Sequence, residues 1–423
     1  MDVFVRKGQI KDSVVKIPTS KSLSHRALLS ASLHSGTSVI EDLVQNKDTE
    51  ATIRVLKSLG AEIETNGNFT TVKGIPSLNN VKDEILDCNE SGSTLRFMIP
   101  LLGLMDKEVK LTGHGKLMDR PQDVYEKIFK SQNLKFEKEG SILKIQGPLH
   151  GGDFEIAGNI SSQFITGLLF ALPLLKEDSN LHILPPYESK SYVKMSEDIL
   201  NKAGIQIIDN GNDIYIPGNQ TYKEMHIKID GDDSQAAFFA CLSQTKQEKI
   251  VLEGMSKDSK QGDHAIVQIL ESFGAKVIEE DDKTTFIPSQ LKGNEVDLAD
   301  CPDLGPVLFA LASITEGTTV FKNASRLRIK ESDRIACMEE ELKKLGCNIT
   351  STFDKVEVTG ISKIKENVTL QGHNDHRIVM ALSILLASSY VGGTITGAEA
   401  ITKSYPTFFE DLEKCGVEVI KHD

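Results

Sequence analysis

Two segments of the sequence place cationic and hydroxyl side chains where an apolar helical pattern begins. In KIPTSKSLSHRALLSASL, Lys21 and Ser22 stand at the predicted helix start, and Arg26 lies one turn further along. In CNESGSTLRFMIPLL, Gly92 precedes the apolar run and lets a ligand approach the backbone closely. Backbone N–H groups and the helix dipole favour an anion at such a start. Both segments therefore predict phosphate or carboxylate binding, although an ordinary capped helix would explain each one taken alone.

A third predicted helix start carries polar side chains without a cation. GNISSQFITGLLFALPLL puts Ser161, Ser162 and Gln163 where a long apolar run opens. These groups suit hydrogen bonds to hydroxyl groups or phosphate oxygens, and simple N-capping by serine explains them about as well. The chain contains no GxxxxGK[ST] sequence, which excludes a nucleotide-binding loop of that type.

Charged residues recur in four further clusters. They include Arg120 in KLMDRPQDVY, Lys330, Glu331 and Arg334 in RLRIKESDRI, Arg377 in HNDHRIVM, and Lys403 in ITKSYPTFFEDL. Arg334 and Arg377 each lead into apolar residues, and a guanidinium group is suited to forked binding of carboxylate or phosphate. Solvated surface charge usually explains such clusters, but these two arginines favour anion binding. His373, Asp375 and His376 could suggest a metal, but no distant third ligand of matching type follows, so no metal site is predicted.

A repeated pattern shows which elements must hold these residues. Six stretches combine an amphipathic helix, a Gly or Asn just past its C-cap, and an alternating strand. The capping residues recur every 70 to 73 residues and are Gly60, Asn133, Gly204, Gly274, Gly346 and Gly416. Helix–Gly–strand junctions are common in α/β proteins, but their regular spacing predicts six α/β units, three in each half of the chain.

Length, charge and cysteine usage narrow the class of protein. A chain of 423 residues exceeds the size at which one core usually keeps growing, so two domains are expected. The net charge of −13 argues against a nucleic-acid partner. No signal peptide, transit peptide or bilayer-length apolar run is recognisable, which predicts a cytoplasmic protein without a membrane partner. The six cysteines lack metal-site spacing and are expected to be reduced, mostly buried thiols.

Nine segments, taken in chain order, resemble the motifs of one known family, the 5-enolpyruvylshikimate-3-phosphate synthases. They are PTSKSLSHRALLSASL, NESGSTLRF, DRPQDVY, SSQFITGLL, DDSQAAFF, CPDL, RIKESDR, NDHRIVMALS and KSYPTFFEDL. The resemblance implies an α/β fold of two similar domains, each made of three βαβαββ-type repeats (an inside-out α/β barrel), with the active site in the interdomain cleft. One domain would be residues 19–228, mainly the shikimate 3-phosphate side. The other would be residues 1–18 and 229–423, mainly the phosphoenolpyruvate side.

The resemblance also implies an activity. The enolpyruvyl group of phosphoenolpyruvate would pass to the 5-hydroxyl of shikimate 3-phosphate through a tetrahedral intermediate, with release of phosphate, in chorismate and aromatic amino-acid biosynthesis. These two small molecules would be the partners, no cofactor or metal is implied, and a monomer is expected.

The family motifs carry expected residue roles. Shikimate 3-phosphate would contact Ser22, Arg26, Ser161, Ser162, Gln163, Ser189, Tyr192, Asp303 and Lys330. Phosphoenolpyruvate would contact Lys21, Gly92, Arg120, Gln163, Arg334, Arg377 and Lys403. Asp303 would act as base for the sugar hydroxyl, and the general acid is left open between Lys21 and Glu331. Lys403 or Lys21 would shuttle protons or stabilise the leaving phosphate.

Two other functions compete with this interpretation. The UDP-N-acetylglucosamine enolpyruvyl transferases share the fold, but they carry a loop cysteine where this chain has Gly115. A non-catalytic sensor of phosphorylated metabolites would also need cationic helix starts. Asp303 and Glu331 argue against a sensor, because carboxylates weaken anion binding and are better explained by proton transfer.

Overall fold

The computed structural model describes residues 1–9, 11–78 and 81–422 of the chain. The chain forms two compact units. One comprises Thr19–Ile229, and the other comprises Met1–Pro18 together with Asp230–Asp423. The polypeptide therefore leaves one unit after Pro18 and returns to it after Ile229.

Each unit contains three four-stranded sheets of a single design. In spatial order across each sheet, the first and second strands are parallel to each other. The second and third strands are antiparallel, and so are the third and fourth. In Thr19–Ile229 the three sheets, in spatial order, are His226–Lys228, Thr37–Glu41, Phe69–Lys73 and Glu62–Asn66; Ile85–Asp87, Val109–Thr112, Ile142–Gln146 and Lys135–Glu139; and Gly152–Ala157, Ser179–Leu184, Asp213–Ile216 and Ile208–Asp209. In the other unit they are Ser13–Lys16, Ile250–Glu253, Lys283–Ile287 and Lys276–Glu279; Glu295–Asp297, Thr318–Lys322, Val356–Thr359 and Asn348–Ser351; and Val368–Gln371, Gly393–Thr396, Asp2–Arg6 and Glu418–His422.

Twelve α-helices lie in the described ranges. They are α1 Lys21–Ser32, α2 Lys47–Ser58, α3 Gly92–Leu102, α4 Asp123–Ser131, α5 Ser162–Ala171, α6 Lys190–Lys202, α7 Asp233–Lys246, α8 Ile266–Ser272, α9 Gly305–Ala312, α10 Arg334–Lys344, α11 His376–Leu386 and α12 Phe408–Lys414. Short 3-10 helices cover Leu117–Asp119, Leu172–Leu174, Gly262–Ala265, Pro302–Leu304, Ser325–Ile329 and Ala398–Lys403. The order strand, helix, strand, helix, strand, strand recurs along the chain, which confirms the predicted βαβαββ repeat.

The even-numbered helices end as the spacing of Gly and Asn predicts. All six capping residues have positive φ, from +57° at Asn133 to +106° at Gly60. At the end of α2, the Gly60 N–H donates to Lys57 and the Ala61 N–H donates to Leu56, each at 3.0 Å. The other five ends show the same pair of bonds, which satisfies carbonyls that a helix end leaves without partners. The local chemistry of one residue therefore fixes each helix-to-strand junction.

The odd-numbered helices form the centre of each unit. They are richer in apolar residues and almost wholly buried, as α11 shows with all of its residues inside. In one unit α3 packs against α5, and in the other α9 packs against α7 and α11. Separate apolar clusters in the two units surround these helices. Because the central helices are held on all sides, the residues at their first turns are fixed in position.

Three of the sheets are completed by strands that are remote in sequence. His226–Lys228 pairs parallel with Thr37–Glu41, and Ser13–Lys16 pairs parallel with Ile250–Glu253. Asp2–Arg6 lies between Gly393–Thr396 and Glu418–His422. These pairings tie the ends of each unit together and give each of the three sheets its fourth strand.

No helix in the described part of the chain is long and apolar enough to span a membrane. All six cysteines are free thiols, and only Cys337 among them is partly exposed, as the sequence predicts.

Candidate active-site residues in the two units

The first turn of α1 holds Lys21 against an acidic residue of α2. Ser20 caps the helix and accepts a bond from the Leu23 N–H at 3.4 Å. Lys21 Nζ lies 3.0 Å from Asp48 Oδ2, and Asp48 stands in the first turn of α2, where the helix dipole favours a carboxylate. The side chain of Lys21 is 18% exposed. The ammonium is thus fixed at the surface of its unit instead of moving freely on its stem.

Arg26 is buried beneath the same helix start, at 2% exposure. Its guanidinium donates to Ser196 Oγ at 2.8 Å, to Thr166 Oγ1 at 3.3 Å and to the carbonyls of Ser22 and Tyr192 at 2.8 and 3.0 Å. Burial lowers the pKa of Arg26 to about 10. Most of its donors therefore bind α5 and α6, and they bring two of the expected site residues, Ser22 and Tyr192, to one place.

Gly92 and Arg120 are immediate neighbours. A Cβ atom placed on Gly92 would lie 2.6 Å from Arg120 Nη1 and 3.1 Å from Arg120 Cζ. Gly92 is the first residue of α3, which Ser91 caps by accepting from the Thr94 N–H at 3.2 Å. The absence of a side chain at Gly92 is what lets the guanidinium lie against the helix start.

Gln163 is oriented by two hydrogen bonds from the neighbouring helix. Arg96 Nη1 donates to Gln163 Oε1 at 2.9 Å, and Gln163 Nε2 donates to Ser93 Oγ at 3.0 Å. Ser161 caps α5 and accepts from the Gln163 N–H at 3.3 Å, with Ser162 as the first helical residue. The segment therefore presents two hydroxyl groups beside a fixed amide, as binding of a polyhydroxy acid would require.

Ser189 and Tyr192 mark the start of α6. Ser189 is fully buried and has φ of 52°, which is uncommon for serine, and its carbonyl accepts from the Tyr192 N–H at 3.2 Å. A strained residue held rigidly at a helix start is typical of a ligand-binding position.

In the other unit, three cations converge on Asp303. Lys330 Nζ lies 3.3 Å and Arg334 Nη1 3.0 Å from Asp303 Oδ1, while Arg377 Nη2 lies 3.0 Å from Oδ2. The three cations come from the 3-10 helix end at Lys330 and from the first turns of α10 and α11. Guanidinium and ammonium donors that meet at one point in this way are suited to hold a carboxylate or phosphate group.

Arg334 is the most deeply buried member of the cluster. It donates to Asp375 Oδ2 at 2.9 Å and to Asp375 Oδ1 at 3.3 Å, and Nη2 lies 3.5 Å from Glu331 Oε2. Burial alone would lower the pKa of Arg334, but the charges of Asp375, Glu331 and Asp303 raise it above its ordinary value. Burial likewise opposes ionisation of Asp375, yet Arg334 lowers the pKa of that carboxyl. Both groups are therefore charged at neutral pH.

Arg377 and Lys403 are also held by backbone carbonyl groups. Arg377 Nη1 donates to the Asp303 carbonyl at 3.2 Å, and Nη2 donates to Ser234 Oγ at 2.9 Å. Lys403 Nζ donates to the Asn374 carbonyl at 2.7 Å. Asp375 caps α11 by accepting from the Arg377 N–H at 2.9 Å, so one turn carries contacts to Arg334, Arg377 and Lys403.

The two histidines of HNDHRIVM have separate surroundings. His376 Nδ1 lies 3.0 Å from Glu331 Oε2, without the angles of a hydrogen bond. His373 Nε2 contacts Glu341 Oε1 at 2.7 Å, and Cys337 and then Glu341 raise the pKa of His373 to about 10. Glu331, Asp375 and His376 do bring potential metal-ligand atoms within 4.8 Å of one another. Arg334 already supplies positive charge to both carboxylates of that group.

Residues 5–412 match the family model described as EPSP synthase (3-phosphoshikimate 1-carboxyvinyltransferase). The chain belongs to the EPSP synthase family.

Similar proteins cover almost the whole chain. The 3-phosphoshikimate 1-carboxyvinyltransferase of Clostridium kluyveri is 45% identical over 96% of this chain and 95% of its own length. That of Clostridium beijerinckii is 41% identical over 95% and 94%. An EPSP synthase structure from Acinetobacter baumannii has a TM-score of 0.80 at 25% identity and covers 99% of both chains. The enolpyruvyl transferase NikO from Streptomyces tendae has a TM-score of 0.80 at 16% identity, which shows a common fold.

As a member of the EPSP synthase family, the protein is a transferase of the shikimate pathway. It moves the enolpyruvyl group of phosphoenolpyruvate to shikimate 3-phosphate in aromatic amino-acid biosynthesis. The predicted fold class and the predicted activity are both confirmed.

Several residues that contact the candidate site residues were not predicted from the sequence of this EPSP synthase family member. Asp48 fixes Lys21, Arg96 orients Gln163, Ser234 contacts Arg377, and Asp375 holds Arg334. Asp48 is visible in the sequence only as an acidic residue at a predicted helix start, and Asp375 was considered only as part of a possible metal group with His373 and His376. Arg96 appears only as a lone cation in an apolar run, which was a usable signal.

Proposed function

We propose that Thr19–Ile229 binds mainly shikimate 3-phosphate and that the other unit binds mainly phosphoenolpyruvate. In the first unit, Ser22, Ser161, Ser162, Gln163, Ser189 and Tyr192 offer hydroxyl and amide groups, with Arg26 beneath them. Such donors suit the hydroxyl groups and phosphate of a sugar-like acid. Lys330 and Asp303 are also proposed to contact shikimate 3-phosphate.

Phosphoenolpyruvate, which carries a carboxylate and a phosphate, needs several cations. Arg334 and Arg377 are the guanidinium groups best placed to hold it, since both are nearly buried and fixed by carboxylates. Lys403 would contribute from the same unit. Phosphoenolpyruvate is also proposed to contact Lys21, Gly92, Arg120 and Gln163. The observation that carries this proposal is the convergence of Lys330, Arg334 and Arg377 on a single aspartate.

Replacing Gly92 by alanine is expected to weaken phosphoenolpyruvate binding. The new methyl group would displace the Arg120 guanidinium, because the contact is with the end of a flexible side chain and not with backbone. We expect KM for phosphoenolpyruvate to rise roughly tenfold, which is about 1.4 kcal/mol, while the unfolding temperature stays unchanged. Steady-state kinetics with each substrate varied in turn would measure this. A rise in KM for shikimate 3-phosphate alone would contradict the assignment of Gly92 and Arg120.

The reaction proceeds in two stages. An acid protonates the methylene carbon of phosphoenolpyruvate, and the sugar hydroxyl, losing its proton to a base, forms a C–O bond to the resulting cationic C2. The tetrahedral intermediate then breaks its C2–O bond to phosphate and loses a proton from the methyl group, which restores the double bond. Two substrates and two products balance the equation, and no cofactor is proposed.

Asp303 is the proposed base for the sugar hydroxyl. Its contacts with three cations hold both carboxylate oxygens in fixed positions. When an anionic substrate binds those cations, their hold on Asp303 weakens, and the carboxylate becomes a better proton acceptor where the hydroxyl arrives. The cations would meanwhile stabilise the negative charge of the departing phosphate.

The general acid is either Lys21 or Glu331. Lys21 is a cation held by Asp48, and Glu331 lies beside Arg334 and His376. Exchange of solvent deuterium into the methylene group of phosphoenolpyruvate requires protonation at that carbon. We expect one of Lys21→Met and Glu331→Gln to abolish exchange while phosphoenolpyruvate still binds. Full exchange in both variants would exclude both residues as the acid.

The acceptor is tested by phosphate release from phosphoenolpyruvate with shikimate 3-phosphate or UDP-N-acetylglucosamine. Release with shikimate 3-phosphate alone is expected, because hydroxyl and amide donors are grouped at Ser161–Gln163 and no cysteine lies near Gly115. Release with neither acceptor, despite tight binding of both anions, would favour a metabolite sensor.

We also propose that the protein acts as a monomer in the cytoplasm. Each unit completes its sheets from its own strands, so no strand from a second copy is needed. Light scattering across a range of protein concentrations is expected to give the mass of one 46.5 kDa chain.

A further inference from the structure

A hydrogen-bonded chain of four buried side chains connects the first three helices of Thr19–Ile229. His25 Nδ1 lies 2.8 Å from Thr52 Oγ1, and Thr52 Oγ1 lies 2.7 Å from Thr94 Oγ1. Thr94 Oγ1 donates to Ser91 Oγ at 2.8 Å. All four residues are at most 1% exposed. This hydrogen-bonded chain of side chains therefore runs from α1 through α2 to the N-cap of α3 without contact with solvent.

The direction of donation is fixed by the end at Ser91. Because the Thr94 hydroxyl donates to Ser91, it can only accept from Thr52, whose hydroxyl then accepts from His25. His25 thus carries its proton on Nδ1, and its Nε2 has no hydrogen-bond partner among the described residues. Burial first, and then the charges of Lys21 and Arg26, lower the pKa of His25 well below its ordinary value. The imidazole is accordingly neutral and serves as a fixed donor.

The hydrogen-bonded chain forms a link between α1 and α2 in addition to an ion pair. Lys21 and His25 are four residues apart on α1, and Asp48 and Thr52 are four residues apart on α2, so each pair shares one helix face. The first link is the ion pair of Lys21 with Asp48 at 3.0 Å, and the second is the bond of His25 with Thr52. Thr94 extends the second link to α3 and also lies 3.5 Å from the Asp48 carbonyl.

We propose that the chain His25–Thr52–Thr94–Ser91 is a positioning device for the phosphoenolpyruvate contacts of this unit. It fixes the spacing between the Lys21 ammonium and the α3 start, where Gly92 and Arg120 lie, so that both meet the same anion. A shift of about 1 Å between two such groups is enough to weaken catalysis substantially. The inference rests on the proposed assignment of Lys21 and Gly92 to phosphoenolpyruvate, and it adds four residues that do not touch the substrate.

The test compares Thr52→Val and Thr94→Val with Thr52→Ser and Thr94→Ser. Valine keeps the shape but removes the hydroxyl, whereas serine keeps the hydroxyl. We expect each valine variant to raise KM for phosphoenolpyruvate at least about fivefold, with KM for shikimate 3-phosphate less affected. Serine variants should stay within about twofold of the unmodified protein. The double variant Thr52→Val/Thr94→Val should be no worse than either single change, because both break the same chain.

Two controls separate positioning from general loss of structure. Thr70 is also buried and pairs with the hydroxyl of Thr65 at 3.0 Å, but it lies on a strand away from these helix starts. Thr70→Val should leave both KM values unchanged. Lys21→Met, measured in parallel, tests the assignment on which the inference rests.

The outcomes are distinct. Raised KM in Lys21→Met with unchanged KM in the valine variants would overturn the positioning chain and leave the assignment of Lys21 intact. Unchanged KM in all of them would overturn both. A lower unfolding temperature in the valine variants with unchanged KM would show a purely structural role, as would serine variants as impaired as the valine ones.

Discussion

Asp303→Asn is expected to lower kcat by roughly 10²- to 10⁴-fold, the range usual for loss of a general base. The amide keeps the size of the side chain but cannot accept the hydroxyl proton. It also removes the negative charge that Lys330, Arg334 and Arg377 share. Those cations then attract an anion more strongly, so KM for phosphoenolpyruvate should stay the same or fall. Steady-state kinetics would show this separation of kcat from KM.

The matched control for Asp303→Asn is Asp281→Asn. Asp281 is also an ion-paired aspartate of the same unit, but it is 90% exposed and contacts only Lys257 at 2.6 Å among the described residues. We expect no change in either constant for that variant. A large rise in KM for phosphoenolpyruvate with unchanged kcat in Asp303→Asn would assign Asp303 to substrate binding and remove it as the base.

Arg334→Met is expected to cost about 3–5 kcal/mol of unfolding free energy, as is usual when one member of a buried ion pair is removed. Asp375 is fully buried and would be left without its main cation. Because Arg334 lowers the pKa of Asp375, that pKa would rise in the variant. Protonation of Asp375 would then restore part of the lost unfolding free energy. The destabilisation should therefore be smaller at acidic pH than at neutral pH. Urea unfolding at several pH values would measure it.

Arg328→Met provides the comparison for Arg334→Met. Arg328 also binds an aspartate through two contacts, at 3.2 and 3.0 Å to Asp333, but both side chains are more exposed. Its loss should cost no more than about 1 kcal/mol. Equal destabilisation of the two variants, or none in Arg334→Met, would contradict this prediction. It would show that burial does not increase the contribution of the Arg334 ion pairs to the unfolding free energy. Catalysis should also fail in Arg334→Met, since a guanidinium for the substrate anion is lost.

The pH dependence of stability offers a separate test on His25. A buried histidine with a lowered pKa stays neutral in the folded protein, while the unfolded chain takes up a proton below about pH 6.5. The contribution of His25 is therefore present above that pH and is lost as the pH falls. In the interval where only the unfolded chain titrates, it amounts to as much as about 1.4 kcal/mol per pH unit. His25→Gln should therefore reduce the slope of the unfolding free energy against pH below about pH 6.5. An unchanged slope would contradict a neutral, buried imidazole at His25.

The sequence determined the features that depend on a single residue or a short run. The six helix ends are one example, because a left-handed backbone position favours Gly or Asn wherever it occurs. The apolar runs of the odd-numbered helices are another, since such runs require burial. The order of nine such motifs was enough to identify the family.

The tertiary structure decided which partner each site residue has. Lys21 and Asp48 are 27 residues apart, Arg334 and Asp375 are 41 apart, and Arg96 and Gln163 are 67 apart. No local pattern specifies such pairs, because each side chain also has an ordinary role as a cap or a lone charge within its own helix. The helix starts come together only when each unit folds. The hydrogen bonds that connect His25, Thr52, Thr94 and Ser91 also form only in the folded unit. The sequence therefore determined which residue types stand at the helix starts. The packing of the central helices determined which of them form hydrogen bonds and ion pairs with one another.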